Sequence, residues 1–197
     1  MNYKDRFLNY VWPRVESFLE LYSQATFTSW IGPYMWNEDG DLKRIITRFC
    51  EEEFGLLTVH NEAKVAEFYF KTFKDQVESG ERQKRKTYSI DIDITDAREC
   101  KTMEELRNLK HGLFIEVKGI ANTMWEIDVR KKIEGFKEDC EKLKEMIKNQ
   151  FCKYAIAILV DNGDQKGKNH IKDKQNYIQE LEKNYLPVVP IIWQKNI

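Results

Sequence analysis

Seven consecutive residues, Tyr154-Ala155-Ile156-Ala157-Ile158-Leu159-Val160, are nearly all apolar. An apolar run of that length reads as a central strand buried on both sides, which needs cover above and below it. The chain supplies that cover. Immediately before the run, Trp125 to Asn149 is the clearest helix, with Val129, Ile133, Phe136, Cys140, Leu143 and Ile147 at three and four spacing and charges over the rest. After it, Asp161-Asn162-Gly163-Asp164 turns the chain, another helix is expected from about His170 to Asn184, and a last strand runs from Val188 to Trp193. The expected class is α/β.

The amino-terminal part is helical by the same reasoning. Pro13 suits the first turn of a helix reaching about Gln24, with Val15, Phe18, Leu19 and Tyr22 as its apolar stripe. Phe27 to Trp36 is aromatic-rich and interrupted by Pro33. Asn37 to Asp41 offers caps for a second helix through Leu42, Ile45, Ile46 and Phe49, which Gly55 ends. Leu56 to His60 reads as a short strand. Ala63 to Val77 fits a helix through Ala66, Phe70, Phe73 and Val77, or a strand at Phe68-Tyr69-Phe70, and Ser79-Gly80 ends it.

Two further strand-like runs carry charge. In Lys86 to Asp96, isoleucines at 90, 92 and 94 alternate with Ser89, Asp91, Asp93 and Thr95, so period two puts the carboxylates on the face opposite the isoleucines. In Gly112 to Gly119, Glu116 and Lys118 point to one side, Ile115 and Val117 to the other. If the two strands are neighbours, two or three carboxylates and one ammonium converge. Packing alone disfavours that, because like charges are brought together and partly desolvated unless a cation neutralises them.

Oxygen ligands with no His or Cys among them suit Mg²⁺ or Mn²⁺ rather than zinc. Asp91 and Glu116 would hold the ion, the Val117 backbone carbonyl would add a ligand, and a bound water would become acidic enough to yield hydroxide. Lys118, on the same face as Glu116, would orient that water and stabilise charge on an attacked phosphate. The products would be a free hydroxyl and a phosphate monoester, as in hydrolysis of a nucleic-acid backbone.

These residues resemble the PD-(D/E)XK nuclease superfamily, whose pattern is an Asp on one core strand, then a hydrophobic strand ending in Glu or Asp, any residue, and Lys. Ser89-Ile90-Asp91-Ile92 is similar to the Asp strand, without the proline that often precedes it, and Phe114-Ile115-Glu116-Val117-Lys118 to the second half motif. The resemblance is specific over about Tyr88 to Ile120. It implies a restriction-endonuclease-like core: a central mixed β-sheet flanked by helices, in the order α-β-β-β-α-β, here with an extra amino-terminal helix and a carboxy-terminal α-β. It assigns metal binding to Asp91 and Glu116 and the catalytic lysine to Lys118. The separation of Asp91 from Glu116 exceeds what a tight hairpin needs, so Ala97 to His111 forms an excursion, with a short helix through Met103 to Leu106. Asp93 is a second candidate on the Asp91 face. The superfamily often adds a Glu from a preceding element, for which the sequence offers Glu62, Glu16, Glu20 and Glu51 to Glu53. A solvated helix face is the plainer reading of each, and Glu62 and Glu20 are the candidates taken forward.

The net charge is −1, so nucleic-acid binding would rest on local clusters: Lys71, Lys74, Arg82, Lys84, Arg85 and Lys86 before the Asp strand, and Lys166, Lys168, His170, Lys172 and Lys174 near the end. Of these, Lys84, Arg85, Lys86, Lys166 and Lys168 are the candidate phosphate contacts. The expected partner is nucleic acid, DNA ahead of RNA. Relatives of this class often cut two strands as dimers, which leaves a homodimer open.

The 197 residues, 42% hydrophobic and 13% aromatic, suffice for one domain with a substantial core, residues 1–55 giving amino-terminal helices and 56–197 the catalytic sheet with its helices. No apolar run approaches the roughly 18–20 residues of a membrane-spanning helix, and no signal-peptide pattern opens the chain, so a cytoplasmic location is expected. Cys50, Cys100, Cys140 and Cys152 lack C-x-x-C spacing and read as reduced core residues. There is no Gly-rich phosphate loop, H-E-x-x-H or nucleophile elbow, and His60, His111 and His170 give a histidine triad little to draw on. Trp36 and Trp125 are read as core ahead of base stacking. The rival reading is a nuclease-fold module without catalysis that binds DNA or a protein.

Overall fold

The computed structural model describes residues 1–25, 42–64, 89–96, 98, 100, 102, 105, 109–121, 124–163 and 168–195. Along these residues the elements are α1 (Tyr3–Arg6), a π-helical turn (Phe7–Val11), α2 (Trp12–Ala25), α3 (Lys43–Phe54), β1 (Val59–Lys64), β2 (Ser89–Ile94), β3 (His111–Ile120), α4 (Glu126–Lys148), β4 (Cys152–Asp161), α5 (Lys174–Tyr185) and β5 (Val189–Gln194). The strands form one sheet in the order β1-β2-β3-β4-β5. β1, β2 and β3 run antiparallel, whereas β3, β4 and β5 are parallel. The parallel pairs are those joined by α4 and α5, as crossover connections require. The expected α/β class, a mixed sheet flanked by helices, is what the chain adopts.

Each face of the sheet has its own core. Phe7, Val11, Val15, Leu19, Ile46 and Cys50 cluster with Ile92, Ile94, Leu113, Ile115, Val117, Ile156 and Ile158. On the other face Val129, Phe136, Cys140, Leu143 and Met146 of α4 and Leu181 of α5 cluster with Phe114, Ile120, Ala157 and Leu159. Odd residues of β3 therefore face the amino-terminal helices and even ones face α4, which places Glu116 and Lys118 on the α4 side. The apolar stripe of α4 follows the sequence reading, with Ile133 and Ile147 only partly buried and Met146 taking a core place. Cys50, Cys140 and Cys152 are buried and Cys100 is half-buried, all free of disulfides.

Several boundaries differ from expectation. The expected helix with Pro13 in its first turn is α2, Trp12–Ala25, but α1 and a π turn precede it, α1 being capped by Asn2, whose side chain accepts from Asp5 N–H. Pro13 has no N–H to give, and the π turn that closes with Trp12 N–H on Phe7 carbonyl lies immediately before it, loosening the ladder there. α3 does end at Gly55, at φ 91°, with its N–H on Glu51 carbonyl at 2.8 Å. Leu56 and Leu57 are exposed in the turn that Thr58 N–H closes on Gly55 carbonyl, so the strand starts at Val59 and extends through Ala63 and Lys64. The last helix starts at Lys174, capped by Asp173, because His170 and Ile171 are engaged by Asp161. Residues 26–41 and 65–88, hence the aromatic stretch, the Asn37–Asp41 caps and the helix-or-strand choice beyond Lys64, lie outside the described residues, as does most of the Met103–Leu106 helix.

Candidate active site

The β2–β3 ladder pairs Ile94 with Leu113, Asp93 with Phe114 and Ile92 with Ile115. One step further it would place Asp91 opposite Glu116, and there the backbone pairing stops. The Asp91 side chain enters the gap instead: its Oδ2 accepts the Val117 N–H at 2.9 Å. The N–H and C=O of one strand residue project to the same edge, so the Val117 carbonyl also faces the open stretch beside Asp91. The expected alternation slips at the same point. Ile92 and Ile94 pack against the amino-terminal helices, whereas Ile90 belongs to the α4-side cluster. On the neighbouring strand Glu62 has a φ of 49°, a left-handed backbone uncommon for a glutamate.

Around this gap carboxylates and ammoniums alternate. Asp91 Oδ1 lies 2.9 Å from Lys43 Nζ of α3, and the same ammonium lies 3.3 Å from Glu62 Oε1. Glu116, only 3% exposed, has Oε1 2.6 Å from Lys142 Nζ of α4. Lys142 Nζ is also 3.2 Å from Asp139 Oδ1, and Asp139 Oδ2 is 3.2 Å from Lys118 Nζ. Four carboxylates and three lysines thus form one charged seam across the sheet.

Burial, followed by the neighbouring Asp91 and then opposed by Lys142, pushes the Glu116 carboxyl up to about 8. Burial would lower the Lys142 ammonium, but Glu116 and Asp139 outweigh it and hold it above its ordinary value. Lys43 is likewise raised: Asp91 and Glu62 overcome its partial burial.

Of the residues singled out in the sequence, the structure brings Asp91, Glu116, Lys118 and Val117 together, with Glu62 reaching them through Lys43 while 70% exposed. Asp93 is committed elsewhere. It is buried, accepts the Thr95 hydroxyl and lies with Oδ2 2.7 Å from His111 Nδ1, a link between β2 and β3 at the far end of the ladder. Glu20 is exposed on α2, whose packing is against the face opposite Glu116 and Lys118. Lys168 is exposed in the loop after β4. Lys84, Arg85, Lys86 and Lys166 lie outside the described residues.

Sequence reasoning missed Lys43, Asp139 and Lys142. The last two had a signal: Gly135, Asp139 and Lys142 stand at four and three spacing, a polar line beside the apolar stripe of α4. Gly135 lies beside the Lys118 stem, whose Cε would be at an ordinary 3.6 Å from a Cβ placed there.

The donor chemistry suits a hard divalent cation. Asp91, Glu116 and the Val117 carbonyl offer oxygen only, and Glu116 Oε1 is buried without a well-directed hydrogen bond. Among the described residues no group of three or more His, Cys, Asp or Glu side chains is arranged as a ready metal cage. Magnesium needs none, since it is commonly held by one or two carboxylates and keeps several waters. Among the described residues no helix is long and apolar enough to cross a membrane. Comparison with protein-family models, with curated proteins and with solved structures finds no match.

Proposed function

We propose that the chain is a Mg²⁺- or Mn²⁺-dependent nuclease of PD-(D/E)XK type with a restriction-endonuclease-like core, hydrolysing phosphodiester bonds of nucleic acid, DNA ahead of RNA, in the cytoplasm. The observation that carries this reading is the Asp91 carboxylate on the Val117 N–H, which joins the Asp strand to the middle residue of Glu116-Val117-Lys118. Asp91, Glu116 and the Val117 carbonyl would hold the cation. When bound, the cation supplies Lewis-acid polarisation of a phosphoryl oxygen and lowers the pKa of water. Lys118, kept in place by Asp139, orients the attacking water and faces the charge that develops on phosphorus. Water oxygen bonds to phosphorus, the phosphorus–oxygen ester bond breaks, and the leaving oxygen takes a proton, giving a hydroxyl and a phosphate monoester.

A second reading has its own observation. Asp91 and Glu116 are each already neutralised by a lysine, as in a nuclease-fold module that binds DNA or a protein and keeps the seam for stability. Plasmid and single-stranded DNA, with RNA in parallel, incubated in Mn²⁺ or Mg²⁺ separate the two. Cleavage that requires metal and falls at least about 100-fold in Asp91→Ala and Lys118→Ala is expected. Intact substrates together with no metal-induced rise in Tm would favour the non-catalytic module.

A further inference from the structure

The lysines that neutralise the two proposed ligands arrive from opposite faces of the sheet, Lys43 from α3 and Lys142 from α4. The Lys142 contact is the closer, 2.6 Å from an oxygen of a deeply buried carboxylate. Magnesium binds carboxylate oxygen at about 2.0–2.1 Å, so the ion and this ammonium cannot both hold Glu116 Oε1 without placing like charges a few ångströms apart. Lys142 has other acceptors within reach, Asp139 Oδ1 at 3.2 Å and the Ser89 carbonyl at 3.5 Å, and its side chain is 19% exposed. An ammonium has three donors and can leave one acceptor while keeping another.

We infer that Lys142 is a resident counter-ion: it occupies Glu116 in the metal-free protein, yields that carboxylate to the divalent cation, and turns its ammonium to a phosphate oxygen of the nucleic-acid substrate while Asp139 keeps it at the site. The inference rests on the nuclease reading and adds a second functional lysine to it. Asp139 becomes a positioning residue for two ammoniums, one on each of its oxygens. Metal and nucleic acid then bind with positive coupling, because the cation frees the ammonium that the phosphate takes up, and by linkage each tightens the other.

The test follows lysine ammonium groups by ¹H–¹⁵N NMR of the full chain during a Mg²⁺ titration, with Lys142→Arg assigning the signal. The expected result is a saturable shift of the Lys142 signal with the same midpoint as the Mg²⁺-induced rise in Tm, and a KM for DNA about tenfold higher in Lys142→Gln. A Lys142 signal that stays put at saturating Mg²⁺, with binding abolished in Asp91→Asn, would overturn the inference and leave the metal site standing. An unchanged KM in Lys142→Gln would overturn the phosphate contact. Absence of Mg²⁺ binding to the wild-type chain would overturn the metal reading and this inference with it.

Discussion

Asp161 is a buried carboxyl shifted in the opposite direction from Glu116, held charged by hydrogen-bond donors that outweigh its burial. At the end of β4 it is fully buried, yet accepts from Gly163 N–H at 3.0 Å, His170 Nδ1 at 2.7 Å, His170 N–H at 2.8 Å, Ile171 N–H at 3.2 Å and Gln194 Nε2 at 3.3 Å. A carboxylate only accepts, so His170 Nδ1 carries the proton in that contact. Burial opposes the charge, but the His170 hydrogen bond, followed by those from Gly163, Ile171 and Gln194, holds the carboxyl below its ordinary value. A depressed carboxyl contributes stability at neutral pH that is lost as pH falls below about 4 and through the folded-state value. Asp161→Asn is therefore expected to cost about 3 kcal/mol at pH 7. Denaturant titrations should show the gap from wild type narrowing below pH of about 4; a gap of constant size would remove the charge from the explanation. His170 and Asp161 were both visible in the sequence, one in a basic loop and the other in a turn. Their pairing was not, because hydrogen-bond geometry across a loop has no periodic signature.

At the scale of elements, two glycines show how local propensity and packing divide. Gly135 interrupts α4 beside the Lys118 stem, and a Cβ there meets Lys118 Cε at an ordinary 3.6 Å. Gly135→Ala should raise stability by about 0.5–1 kcal/mol through helix propensity, read as an increase in Tm of about 1–4 °C. Gly112, near the start of β3, is the opposite case. A Cβ there would lie 2.6 Å from the Ile94 backbone carbonyl and 2.5 Å from a Tyr3 ring carbon. Gly112→Ala is expected to destabilise by about 2 kcal/mol or more, and a variant with wild-type Tm would show that β2 and α1 can yield. The helix stripe of α4 was legible because its three-and-four spacing lies within one element. The late start of β1 was not, since Leu56 and Leu57 are apolar yet exposed, and only the turn after Gly55 turns them outward.

In the whole molecule, β3 and β4 are central, each paired on both sides and covered by a core on both faces. Native-state hydrogen exchange is expected to be slowest in β3 and β4 and faster in β1, which with β5 ends the sheet among the described strands. Equal protection of β1 would contradict that order. The apolar run in β4, the alternation in β3 and from Ile92 to Ile94 of β2, and the stripe of α4 are determined by the sequence itself, because each is a period within a single element and needs no knowledge of its neighbours. The shared face of Glu116 and Lys118 belongs with them. The closeness of Asp91 to Glu116 was legible only given the condition that their strands are adjacent, which the sheet order supplies. What tertiary structure alone decided is which charges meet: Lys43 on Asp91, Lys142 on Glu116, Asp139 between Lys118 and Lys142, and Asp93 diverted to His111. Apart from Asp139 and Lys142, neighbours one turn apart on α4, those contacts join residues from different elements, and their distances depend on how helices dock across the sheet, a relation that no local period encodes.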